Sequence, residues 1–311
     1  TTIVDLASFG SRVRRVRDDI DAGTLLGPRM FFAGPAFTAP GGHPGPTACG
    51  GKAWCAENIA VSTDDPDEAR RAVDELADLG VDGIKVIFDA LEFGVFRDGF
   101  PKMRREVLAA IVDQAHTRSL PVVAHVLHDE DAAIVLEAGV DALVHTPLAG
   151  FSSAKTSTGE TIPEFLGQNQ IPVVTTVATI TPEDAPFLLG VGMRLTNRLI
   201  LRPYLGTLRD SGVVFVLGTD FSGIGADPHP GAAVKREAEM LVDHGFSEAE
   251  VIRMATGNAS RFPMIPDDIG TIAPGSHADL LLLRGNPIEA IGALFSPSVV
   301  IKSGRVAVDQ R

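Results

Sequence analysis

Long apolar runs are missing from this sequence. None reaches the roughly 18 consecutive residues that a helical membrane span requires, so no membrane span is expected. Positive charge is scarce as well. Lys and Arg total 27 against 40 Asp and Glu, a net charge of −13, and that balance argues against nucleic acid or an anionic membrane as a partner. Cysteine occurs only at Cys49 and Cys55, within one loop. Two are too few for a disulfide scaffold and fall short of the about four ligands of a Cys-only zinc site; the two can pair or remain thiols. The opening residues, TTIVDLAS, contain neither Met nor the basic, apolar and small-residue zones of a signal peptide. They begin inside what reads as a strand, so the native N-terminus is expected to lie upstream.

What is present is an alternation. Short apolar runs at 1–8, 29–37, 83–88, 121–126, 142–146, 172–179 and 214–219 read as strands. Between them, apolar residues recur at three and four, as in PDEARRAVDELADLG (66–80), REVLAAIVDQAHTRS (105–119) and HDEDAAIVLEAG (128–139), the spacing of amphipathic helices. Asp65 and Pro66 supply a helix start and Gly80 a stop. Repeated strand–helix units imply a parallel sheet, and runs apolar throughout suit strands covered on both faces. Seven strands are one fewer than an eight-fold barrel needs. Links from helix into strand are tight, whereas residues 38–64, 89–103, 147–160 and 221–231 form long segments after strands. Barrel enzymes keep their chemistry on that face. From 266 onward, Gly and Pro turns and β-rich runs at 279–283 and 298–308 mark a β appendage too small to hold a core alone. The expected fold is therefore an α/β, (β/α)8 TIM-like barrel over residues 1–265 that lacks its first strand, with a small C-terminal β-sandwich segment over 266–311.

Four ionisable residues fall at the ends of these strands: Lys85 in GIKVIF, His125 in VVAHV, His145 in LVHTP and Asp220 after VFVLG. Each has an ordinary reading. A histidine in an apolar run is commonly a satisfied core residue, Lys85 can snorkel, and Asp220 can cap the next loop or helix. Against this, all four belong to one rim, and buried charges need partners. Imidazole and carboxylate suit zinc or a related divalent ion. An ammonium does not bind a metal, but a lysine withdrawn from water loses its proton more readily. The neutral amine can add carbon dioxide, giving a carbamate whose two oxygens could bridge two metals about 3.5–4 Å apart.

At these motifs the sequence resembles the amidohydrolase superfamily of metal-dependent hydrolases, in the group with imidazolonepropionase-like and Xaa-Pro dipeptidase-like enzymes. TTIVDLAS is similar to that family's second strand and LLGPRMFFAGPAFTAPGGHP to its third strand and loop. DGIKV, VVAHVLHDEDAAIVLEAGVDALVHT, LGTD, MATGNASRF and GTIAPGSHADLLLLRGNP come next, in the family's order. The resemblance implies that Lys85 bridges the metals, that His125 and His145 hold the second, and that Asp220 binds the first and shuttles a proton to the leaving amine. It implies one or two divalent ions, zinc first among them. His43 in PGGHPG and His229 in DPHPG are the candidates for touching substrate. One element departs from the family: its first strand carries a His-x-His pair, and none of the eight histidines here is so spaced.

The expected activity is hydrolysis of an amide or cyclic-amide C–N bond by a metal-held hydroxide, with a prolyl dipeptide as one substrate and lactones or phosphotriesters as alternatives. An inactive remnant truncated at its N-terminus and a Schiff-base lyase using Lys85 are the other readings. The expected partner is a small molecule or dipeptide; a homo-oligomer stays open, as does the compartment, with the cytoplasm preferred to export.

Overall fold

The computed structural model describes residues 1–91, 99–147, 154–180, 197–221 and 229–311. The chain forms two compact units. One holds residues 2–143 and a segment ending at Ile162; the other holds the segment from Val144 and residues 163–311.

The first unit contains β1 (Thr2–Asp5), α1 (Gly10–Asp21), β2 (Arg29–Phe32), β3 (Ala36–Thr38), α2 (Ala53–Ile59), β4 (Ala60–Ser62), α3 (Pro66–Leu79), β5 (Ile84–Ile87), α4 (Arg105–Thr117), β6 (Val122–His125), α5 (Asp129–Glu137) and most of β7 (Ala142–Val144). Strands β1 and β2 pair in parallel. The larger sheet runs β4-β3-β5-β6-β7 and is parallel where β3 meets β4, β3 meets β5 and β5 meets β6. Every residue of β5 and β6 is buried, as expected of apolar runs covered on both faces.

Helix α3 shows why the local reading works. Asp65 accepts hydrogen bonds from the N–H groups of Asp67 and Glu68, each at 2.8 Å, Pro66 fits the first turn, and Gly80 closes the helix at φ +80. Its buried residues Ala69, Val73 and Leu76 form one stripe.

Two expectations in this unit are corrected. The run 29–37 is two strands in two sheets, because Gly34 turns the chain at φ +72 and Pro35 offers no N–H. The segment 38–64 is not a bare loop. It carries α2 and β4, and Cys49 is bonded to Cys55. Helix α2 buries none of its residues, so no apolar stripe announces it. The loops expected at 89–103, 147–160 and 221–231 lie partly outside the described residues.

The second unit contains most of α6 (Ile162–Asn169), then β8 (Val173–Val174), α7 (Val177–Ile180), a π-helical turn at Asn197–Leu201, α8 (Arg202–Asp210), β9 (Phe215–Val216), α9 (Pro230–Asp243), α10 (Glu248–Met254), β10 (Leu280–Leu283), β11 (Pro297–Lys302) and β12 (Arg305–Asp309). Strands β8 and β9 pair in parallel. The last three strands form an antiparallel sheet in the order β10-β11-β12, so the β-rich run 298–308 is a hairpin. The strands read at 172–179 and 214–219 are cut to two residues each. In the first case the chain leaves the extended state at Thr176, with φ +61, and becomes helical. No helix among the described residues is long and apolar enough to cross a membrane.

Candidate functional site

In the first unit the register of β5 on β6 places Lys85 opposite Val123 and Ile87 opposite His125. Side chains two residues apart on a strand share a face, so Lys85 and His125 lie on one face of the sheet, one step apart. Both are buried. His43 joins them from the loop after β3. Its ring centroid is 5.2 Å from that of His125, and its Nδ1 is 2.5 Å from the Thr47 hydroxyl. The loop is closely seated there: a Cβ on Gly42 would stand 2.8 Å from both the Pro101 carbonyl and the Thr38 hydroxyl. Burial and the neighbouring Lys85 ammonium push the His43 imidazole down to about 4, with the Asp89 carboxylate opposing, so His43 is neutral at physiological pH.

Asp89, two residues past β5, was not singled out by the sequence. It is 1% exposed and accepts the N–H of Leu91 at 2.5 Å and of Leu127 at 2.7 Å. It thereby ties the residues after β5 to those after β6, beside Lys85 and His125. His128 is the N-cap residue of α5, with Nδ1 3.7 Å from Asp89. The facing Asp89 carboxylate holds its imidazole above the ordinary histidine range, partial burial opposing. Asp131 completes the group and pairs with Lys102 at 2.7 Å, while the Lys102 ammonium also stands 5.5 Å from the Phe88 ring centroid. Asp89→Asn should bring the His128 pKa back down toward that of an ordinary histidine in an NMR titration. An unchanged midpoint would remove Asp89 as the cause.

In the second unit His145 directly succeeds β7, buried and at φ +72. Its Nδ1 is 2.7 Å from the Thr176 hydroxyl. Asp220 stands four residues beyond β9 at φ +50 and is exposed. Positive φ at His145, Thr176 and Asp220 is uncommon for residues other than glycine and clusters at functional sites. His229 is exposed and caps α9, its Nδ1 accepting the N–H of Ala232 at 3.1 Å. Residues 222–228, between Asp220 and His229, lie outside the described residues. Glu237 is wholly buried and was also missed, because a single glutamate in an amphipathic helix carries no signal of where it points.

The family model for the amidohydrolase family matches residues 1–307. The chain belongs to the amidohydrolase family. This amidohydrolase is 28% identical to the ochratoxinase of Aspergillus niger over 331 aligned positions, which cover 96% of this chain and 63% of that protein. Among solved structures it is similar to a putative prolidase from Bifidobacterium longum, at 28% identity and a TM-score of 0.75, covering 98% of this chain and 72% of the other. It is also similar to a Xaa-Pro dipeptidase with methionine bound in its active site, at 26% identity and a TM-score of 0.76, covering 98% and 74%. The amidohydrolase thus spans less than two thirds of the curated relative's length.

Amidohydrolases generally bind divalent metals, and two donor sets can be weighed against that chemistry. Ligand atoms of Asp89, His128 and Asp131 all lie within 4.8 Å of one another. That group is largely satisfied by protein, however: both Asp89 oxygens accept backbone N–H groups, and Asp131 is held by the Lys102 ammonium, whose charge would repel a cation. Within the first unit, His125 offers a buried imidazole beside the buried Lys85 amine; within the second, His145 offers an imidazole and Asp220 a carboxylate.

Proposed function

We propose that this amidohydrolase is a metal-dependent hydrolase of amide or cyclic-amide C–N bonds, with its site on the rim of a (β/α)8-type barrel. Buried Lys85 and His125 on one face of paired strands carry the reading; His125 closes β6, and strand C-termini are where such folds place reacting groups. Lys85 as its carbamate, His125, His145 and Asp220 would hold one or two divalent ions, with zinc favoured by the imidazole donors. Bound there, the metal would polarise the scissile carbonyl and make water nucleophilic at neutral pH.

The remaining work belongs to the chain. Asp220 takes the proton released as the water oxygen bonds to the carbonyl carbon, and returns it to nitrogen as the C–N bond breaks. Its exposed position leaves it within reach of a substrate. His43 can exchange a hydrogen bond with a bound substrate, and His229 would face the same side. The relatives named Xaa-Pro dipeptidase and prolidase make a prolyl dipeptide the first substrate to try.

The purified chain, loaded with zinc, should hydrolyse Xaa-Pro dipeptides in preference to lactones and phosphotriesters. Dialysis against a chelator should abolish the activity, and added zinc should restore it. A chain that holds no divalent ion, or whose hydrolysis survives chelation, would overturn the proposal.

A further inference from the structure

We infer that Thr47 is a positioning residue for His43, and that the Cys49–Cys55 bond keeps Thr47 in place, so that reduction by a dithiol loosens the substrate side of the site. The role of His43 toward substrate rests on the reading above. Its dependence on Thr47 and on the disulfide is a property of the metal-free chain.

His43 is held at two points. Its carbonyl accepts the Thr38 hydroxyl at 2.6 Å, which ties its backbone to the last residue of β3. Its ring is held separately: Nδ1 and the Thr47 hydroxyl oxygen are 2.5 Å apart, and either can be the donor. Without Thr47 the residue keeps its backbone anchor and loses a contact that sets how the imidazole is turned.

Thr47 has little packing to hold it. From Gly45 to Lys52, Cys49 alone is buried. Gly50 and Gly51 have φ of +56 and +74, and a Cβ on either would meet nothing within 4 Å. Backbone bonds shape the turn. The Pro44 carbonyl accepts the N–H groups of Thr47 at 3.2 Å and Cys49 at 3.1 Å, and the Gly51 N–H donates to the Gly45 carbonyl at 3.0 Å. Such bonds compete with water, and glycine gives up much conformational freedom when ordered. The firm link is covalent: Cys49 is bonded to Cys55 of α2. That helix buries none of its residues; its Trp54 ring lies 5.1 Å, centroid to centroid, from that of Phe9. The crosslink thus joins two lightly packed segments and removes conformations that the open chain would reach.

Reduction proceeds by exchange. One thiolate of the dithiol attacks Sγ of Cys55, the more exposed partner; the S–S bond breaks and Cys49 leaves as a thiolate. The second thiol closes the reagent into a cyclic disulfide and releases Cys55. Two electrons pass to the protein, and the two protons of the dithiol end on the two cysteine sulfurs.

The test begins with the wild type, reduced with dithiothreitol and freed of it under anaerobic conditions. Histidine-ring 1H–13C spectra of the metal-free chain should show the His43 resonance shifted, its cross-relaxation with the Thr47 methyl lost, and faster exchange of the Cys49 and Gly51 amides. Thr47→Val should reproduce the ring shift with the disulfide intact, and Thr47→Ser should keep the oxidised wild-type position. The double variant C49A/C55A should match the reduced wild type and ignore the dithiol. In the zinc-loaded enzyme, reduction and T47V should each raise KM for an Xaa-Pro dipeptide by about 2- to 10-fold, the worth of one hydrogen bond, with kcat held; T47S should restore KM. The inference is overturned if reduction or T47V leaves the His43 ring where it was, or if the loss falls on kcat with KM unmoved. Reduction of the wild type needs no substitution, so it decides the point even if a variant does not fold. A chain that hydrolyses no dipeptide defeats the hydrolase reading, while the ring spectra still decide the positioning.

Discussion

Replacing Lys85 by Met should abolish hydrolysis, with a loss of at least about 100- to 1,000-fold, the size expected when a principal electrostatic contributor to a reaction is removed. Lys85 is 5% exposed and shares its sheet face with His125. Methionine matches its length, fills its space and adds no buried charge, so the fold should survive; circular dichroism would check this. On the proposed reading the side chain acts through carbamate oxygens, so acetate or propionate in the assay should restore part of the activity of K85M and none in the wild type. Zinc bound per chain should fall in parallel. A lysine acting as a Schiff-base nucleophile predicts otherwise: borohydride would trap substrate on the wild type, and small carboxylates would rescue nothing. Full activity in K85M would end the case for Lys85 in either role.

The second large effect concerns pH and Glu237. Burial pushes its carboxyl up to about 7, from 4.5 for an ordinary glutamate, against the pull of the Thr175 hydroxyl and the Ala178 and Val177 N–H groups. Between pH 4.5 and 7 the unfolded chain has lost this proton and the folded chain keeps it. Folding then takes up a proton, and stability falls as pH rises. The contribution is fully present below pH 4.5 and lost as pH climbs through about 7, a span of roughly 3 kcal/mol. Glu237→Gln carries no titrating group. Its stability relative to the wild type should therefore increase by up to roughly 3 kcal/mol between pH 4.5 and 7.5. Urea unfolding at a series of pH values reads this directly; parallel curves for the two proteins would show that Glu237 keeps an ordinary pKa when folded.

These two residues mark different degrees of legibility. Lys85 could be picked out because a cation inside an apolar strand violates the local pattern, and the violation lies on the chain itself. His125 and His145 are visible for the same reason. Glu237 and Asp89 break no local rule. A glutamate in a helix and an aspartate after a strand are ordinary, and only the packed fold shows each to be a buried carboxylate gripping two backbone N–H groups. The strand read at 172–179 failed in a related way. Its β-branched residues favour extension, yet Val177–Ile180 is helical, because Glu237 accepts the Val177 and Ala178 N–H groups from across the unit.

By itself the order of residues determined much of the succession of strands and helices, the helix start at Asp65 and stop at Gly80, the parallel pairing in the larger sheet, membership of a family, and the strand-end positions of His125 and His145. Periodicity, capping and side-chain polarity are properties of neighbouring residues, so they are written locally. The tertiary structure decided the split of residues 29–37 between two sheets, the Cys49–Cys55 bond, the closure of Asp89, His128, Asp131 and Lys102 into a charge network, and the contact of Thr176 with His145. Those depend on which distant groups a buried donor or acceptor meets once water is excluded, and that pairing exists only in three dimensions.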